Sequence, residues 1–100
     1  MTSVVVNDRA ALKQKIKATA RARIVAVVPE WKQTNLVARG VELTRQRLLP
    51  GFISLSPEDA AEEAAIQAVW DHVKAIRLRS DVLEADVDAG VAVDLDSGWP

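Results

Sequence analysis

Ser56-Pro57-Glu58-Asp59-Ala-Ala-Glu62-Glu63-Ala-Ala-Ile66-Gln-Ala-Val69-Trp70-Asp-His-Val73-Lys-Ala-Ile76-Arg-Leu-Arg-Ser80-Asp-Val-Leu83-Glu-Ala-Asp-Val87-Asp88 decides the fold. Ser56 offers a capping hydroxyl, Pro57 suits the first helical position, and Glu58 and Asp59 face the positive end of the helix dipole. Ile66, Val69, Val73, Ile76, Ser80, Leu83 and Val87 then follow in steps of three and four, which predicts a helix over about 57–88 with one narrow apolar seam. Ser80 is the polar member of that seam, and Asp88-Ala89-Gly90 reads as its stop.

Upstream, Leu49-Pro50-Gly51 ends an earlier helical stretch, because proline cannot continue a helix and glycine accepts a left-handed turn. Phe52 to Leu55 forms an apolar connector. Before it, Arg9 to Arg23 is rich in strong helix formers, with Leu12 and Ile16 one turn apart. Asn7 or Asp8 is the expected cap, after a short β-prone run at Val4-Val5-Val6. Pro29 must either kink this helix near Val25 or separate two helices, standing at the first position of the second.

From Ala20 a second seam can be counted through Ile24, Val27, Trp31, Thr34, Ala38, Val41, Arg45 and Leu48. Leu36, Val37 and Leu43 add apolar surface on other sides of the same segment. A helix apolar on more than one side needs more than one neighbour, so this segment is expected to touch a second chain. The fold class read here is all-α: an antiparallel helical hairpin with coiled-coil-like packing, a short extended N-terminus and an acidic C-terminal tail. Residues 1–90 form one domain, with helices at about 8–48, kinked or broken near 29, and at 57–88; residues 91–100 are the tail.

Charge supports the hairpin. Residues 1–50 hold ten basic and three acidic side chains, +7, whereas residues 51–100 hold three basic and eleven acidic, −8. Halves of opposite sign attract, either within one hairpin or head to tail between subunits.

Composition removes several chemistries. The chain has no cysteine, which excludes disulfides, thiolate metal sites and a cysteine nucleophile. His72 is the single histidine; a zinc site would need nitrogen or sulfur ligands that are absent, and only Asp71 stands beside it, so a helix histidine in solvent is the plainer reading. Glycines at 40, 51, 90 and 98 open no phosphate loop. Asp86-Val-Asp88-Ala-Gly90 and Asp94-Leu-Asp96-Ser-Gly98 resemble fragments of a calcium loop but lack its remaining ligands, and read as a solvated tail. No catalytic, cofactor or metal residues emerge, and the reading is of a protein that is not an enzyme.

Arg9, Lys13, Lys15, Lys17, Arg21 and Arg23 are the best candidates for phosphate contact, yet they spread around the helix, and the acidic half opposes nucleic acid. Apolar runs stop short of a bilayer span and no secretory signal opens the chain, so a soluble protein made in a cytoplasm is expected. Trp31 and Trp70 read as core at the hairpin interface or as anchors between subunits. Trp99, near the end of the tail, either docks on the domain or anchors to a partner. Candidate protein-interface residues are therefore Trp31, Leu36, Val37, Leu43 and Trp99.

The stretch Pro29-Glu-Trp-Lys-Gln-Thr-Asn-Leu-Val-Ala-Arg-Gly-Val-Glu-Leu, the stretch Pro57-Glu-Asp-Ala-Ala-Glu-Glu-Ala-Ala-Ile-Gln-Ala-Val-Trp-Asp-His-Val-Lys-Ala-Ile-Arg and the ending Gly-Trp-Pro resemble small helical proteins of bacteriophage and prophage tail regions. The resemblance covers residues 20 to 100. It implies a component of the virion tail or tail-fibre apparatus, made in the bacterial host, whose partners are further copies of itself or other tail proteins. A tail-assembly chaperone is the alternative it leaves open, and a small nucleic-acid-binding regulator is a second alternative from the basic first helix.

Overall fold

A computed structural model describes residues 2–100, with side chains from Asp8 onward. Three helices, α1 (Thr2–Val27), α2 (Glu30–Arg47) and α3 (Pro57–Asp88), make up the chain up to a folded tail, and no strand occurs among the described residues.

The expected extended N-terminus and the cap at Asn7 or Asp8 are corrected by this structure: the backbone is helical from Thr2, through the valine run. β-branched residues cost only a few tenths of a kcal/mol each in a helix. Extending a helix already nucleated downstream gains one hydrogen bond per residue, which is enough to offset that cost.

At Pro29 the chain breaks into two helices. Pro29 is the N-cap of α2, with φ −55° and ψ 150°, and Glu30 takes the first helical position. The Val28 amide still bonds the Ile24 carbonyl, the Pro29 carbonyl accepts from the Lys32 and Gln33 amides, and the Gln33 side-chain amide donates back to the Val28 carbonyl at 2.9 Å. The break is thus stitched, with few backbone groups left over.

The antiparallel register is carried across this break. Lys13 pairs with Asp88 and Lys17 with Glu84; further along, Arg39 pairs with Glu62, each advance along α1 and α2 matched by an equal retreat along α3. At 1.5 Å per residue a near-straight run from Thr2 to Arg47 is about 69 Å long, and the molecule is a rod of 68 × 24 × 21 Å. Arg47 departs from that register by reaching Glu63, just before the chain turns at Pro50 and Gly51, where φ is +81°.

The start of α3 follows its sequence signals. The Ser56 hydroxyl accepts from the Asp59 amide at 3.1 Å, and Pro57 opens the helix. Ile66, Val73, Ile76, Ser80, Leu83 and Val87 are all buried, so the seam of α3 is the spine of the molecule. Its other end closes with the Gly90 amide on the Val87 carbonyl and the Val91 amide on the Asp86 carbonyl, the paired bonds of a left-handed glycine cap.

The spine is covered unevenly. Ile16 and Ala20 of α1 are buried, and α1 packs more closely on α3 than α2 does. The tail covers part of the remainder. Val93, Leu95 and Trp99 pack on the cluster of Ile16, Leu83 and Val87, together with Leu12. Asp94 accepts from the Asp96 amide, Trp99 donates its indole N–H to the Leu95 carbonyl at 2.7 Å, and Arg79 reaches the Ser97 carbonyl.

Candidate protein-interaction face

On α2 the seam counted from the sequence lies on the wrong side for the hairpin. Leu43 is fully buried and Leu36 half-buried, facing α3, but Trp31 is 69% exposed, Val41 48% and Leu48 79%. Thr34, Ala38 and Arg45 are exposed as well. The seam holds from Ala20 to Val27, where its members are buried or half-buried, and then parts from the core. Residues advance by about 100° each only while the helix is continuous; the extended ψ of Pro29 resets the phase, so Leu36 and Leu43 rotate inward while Trp31, Thr34, Ala38, Val41, Arg45 and Leu48 rotate outward together.

Of the two readings of Trp31, core of the hairpin and contact between subunits, its exposure excludes the first. Trp70 is half-buried and Val37, at 55% exposure, lies in the open. Leu43, expected at a partner face, is instead buried within the chain. Trp99 spends its ring on its own chain, docked on the core cluster with the Arg23 guanidinium 5.3 Å above its centroid. Of the five residues singled out from the sequence, Trp31 and Val37 are free for contact, Leu36 is partly so, and Leu43 and Trp99 are engaged. Leu48, Leu49 and Ile53, all exposed, extend the apolar surface beyond α2 and were not among them; Leu48 closes the counted seam, whereas the place of Leu49 and Ile53 in the turn gave no periodic signal.

Between α2 and α3 runs an open groove of about 710 Å³, lined by Leu36, Val37, Gly40, Val41 and Trp70 among others. It exists because α2 stands off from α3. Charge ties the two helices beside it: Arg39 donates to Asp59 and Glu62 of α3 and to Glu42 of α2 at 2.7–3.2 Å, and Arg47 donates to Glu63, which lines the groove, at 2.5 Å. Donating to the Glu62 and Glu42 carboxylates raises the Arg39 guanidinium above its ordinary value. The bond from Arg47 holds the Glu63 carboxyl below the usual carboxylate range. Exposed pairs of this kind contribute little to stability; they fix which helices pair.

Elsewhere the charged residues are arranged as surface. Lys13 and Lys17 are engaged with Asp88 and Glu84, and Arg23 lies over Trp99, which breaks up the basic run read as a phosphate-binding candidate. His72 is exposed and its Nε2 lies 3.1 Å from the Pro100 carbonyl. No group of three His, Asp or Glu side chains able to hold a metal occurs among the described residues, and no described helix is long and apolar enough to cross a membrane.

Comparison with protein-family models, with curated protein sequences and with solved structures finds no match.

Proposed function

We propose that the protein is a structural packing module of a phage tail or tail-fibre apparatus, acting by lateral helix contact in an oligomeric assembly. The observation that carries the packing role is the outward seam of α2. A heptad-spaced row ending in Trp31 and Leu48 is the pattern helices use to pair, and a tryptophan so exposed is the residue type that dominates binding energy when covered. The likeness of residues 20 to 100 to phage-tail proteins supports placing that contact in a tail.

Mass spectrometry of purified particles tests the placement. A structural component is expected at a stoichiometric ratio to the other tail proteins. Absence from mature particles, with presence in the lysate that assembles them, would favour the second reading, a tail-assembly chaperone. The groove between α2 and α3 supports that second reading, because an open apolar channel suits transient capture of a partner segment.

A further inference from the structure

We infer that the outward seam of α2 docks a second copy of this chain, antiparallel, about a two-fold axis level with Arg39 and Gly40. The inference rests on the proposed packing role and names its partner. The seam contains two alternating classes of position: Trp31, Ala38 and Arg45 in one, Thr34, Val41 and Leu48 in the other. Reversing the direction of a helix exchanges its three-residue and four-residue steps, so in an antiparallel pair each class faces the other. Setting Trp31 against Leu48 of the second copy then sets Thr34 against Arg45 and Ala38 against Val41, and symmetry repeats all three layers.

The layers are complementary in size, and Thr34 leaves room for the Arg45 side chain to reach past it to solvent. The largest exposed side chain meets an exposed leucine at both ends, and alanine meets valine beside the axis. Charge selects the direction. α2 carries Glu30 in its first turn and Arg45 in its last, so antiparallel docking brings Glu30 of one copy toward Arg45 of the other, with the helix dipoles opposed; Arg47 stays with Glu63 of its own chain. Parallel docking would instead place Arg45 opposite Arg45 on the seam itself, a like-charge contact within the interface. A self-complementary patch of this kind closes as a two-fold dimer. With α2 only about 27 Å long, one helix face buries less than a standard interface, so the dimer is expected to dissociate on dilution.

The full chain lacks cysteine, which makes single-cysteine variants clean reporters. Sedimentation equilibrium of the unmodified chain is expected to show a reversible monomer–dimer transition across about a hundredfold range of concentration. Val41→Asp, an exposed site, is expected to leave helical circular dichroism unchanged and to abolish the dimer. On mild oxidation, a mixture of Ala38→Cys and Val41→Cys is expected to cross-link in clear excess over either variant alone. Stronger cross-linking of each variant with itself would overturn the antiparallel docking, and dimerisation that survives Val41→Asp would overturn the seam. A chain that stays monomeric throughout yet is found in purified particles would remove the second copy as partner and leave the proposed function standing.

Discussion

Two leucines on α3 offer a controlled test of the packing, because they differ in face and not in chemistry. Leu83 is 1% exposed and Leu78 56% exposed. Leu83 belongs to the cluster with Ile16 and Val87, under Leu12, Val93, Leu95 and Trp99. Replacing it with alanine removes three buried carbon groups, about 2.4 kcal/mol at about 0.8 kcal/mol each, and leaves a cavity whose lining loses contacts. The tail side chains can relax into part of that space, so Leu83→Ala is expected to cost about 3 kcal/mol. At about 4–8 °C per kcal/mol for a domain of this size, the fall in Tm is roughly 12–24 °C. Leu78→Ala is expected to change stability by less than about 0.5 kcal/mol. Thermal melts followed by circular dichroism at 222 nm, in dilute solution so that association does not contribute, measure both. Similar shifts for the two variants would refute the assignment of the seam as the spine of the molecule.

Ser56→Ala removes the hydroxyl that accepts from the Asp59 amide; a loss of about 1 kcal/mol is expected in a urea melt, with an unchanged slope. Gly98 has φ +77°, and a Cβ there would lie 2.6 Å from Nη2 of Arg79, so Gly98→Ala strains the backbone and pushes the flexible Arg79 guanidinium off the Ser97 carbonyl. It is expected to detach the tail, seen as faster hydrogen exchange of the Trp99 indole N–H while α1 and α3 stay protected. The Glu63 carboxyl is held low by the bond from Arg47, so its contribution is complete above the unfolded value near 4.3 and is lost as pH falls through the lower folded value. The Tm difference between the unmodified chain and Glu63→Gln is therefore expected to be largest near neutral pH and to shrink toward pH 3.

The helices were legible where a single local rule decided them. Ser56-Pro57-Glu58-Asp59 starts α3 where capping chemistry places it, and six members of its seam are buried, because a long helix with one narrow apolar stripe has one way to lie. The opposite charges of the two halves likewise meet as Lys13–Asp88, Lys17–Glu84, Arg39–Glu62 and Arg47–Glu63. The seam through Pro29 was misplaced because a periodic count assumes constant rotation per residue, and the break discards it. Which of Leu36 or Trp31 faces inward after that depends on the dihedral angles of Pro29, which the hydrophobic pattern does not contain. The start of α1 was missed for another reason: the local preference of three valines yielded to continuation of the helix behind them. Docking of the tail depends on a glycine turn and one tryptophan, neither of which leaves a repeat to count. For the candidate interface, the sequence pointed to surplus apolar surface on α2, and the three-dimensional arrangement determined which residues make up that surplus: Trp31, Val37, Val41 and Leu48.

The central claim is that the outward seam of α2 docks a second copy of this chain. Sedimentation equilibrium of the full chain beside Val41→Asp at the same concentrations tests it most directly. The expected result is an apparent mass that rises toward that of two chains for the unmodified protein and stays at one chain for the variant. A mass of one chain for both, up to the highest concentration that remains soluble, would contradict self-association through this seam.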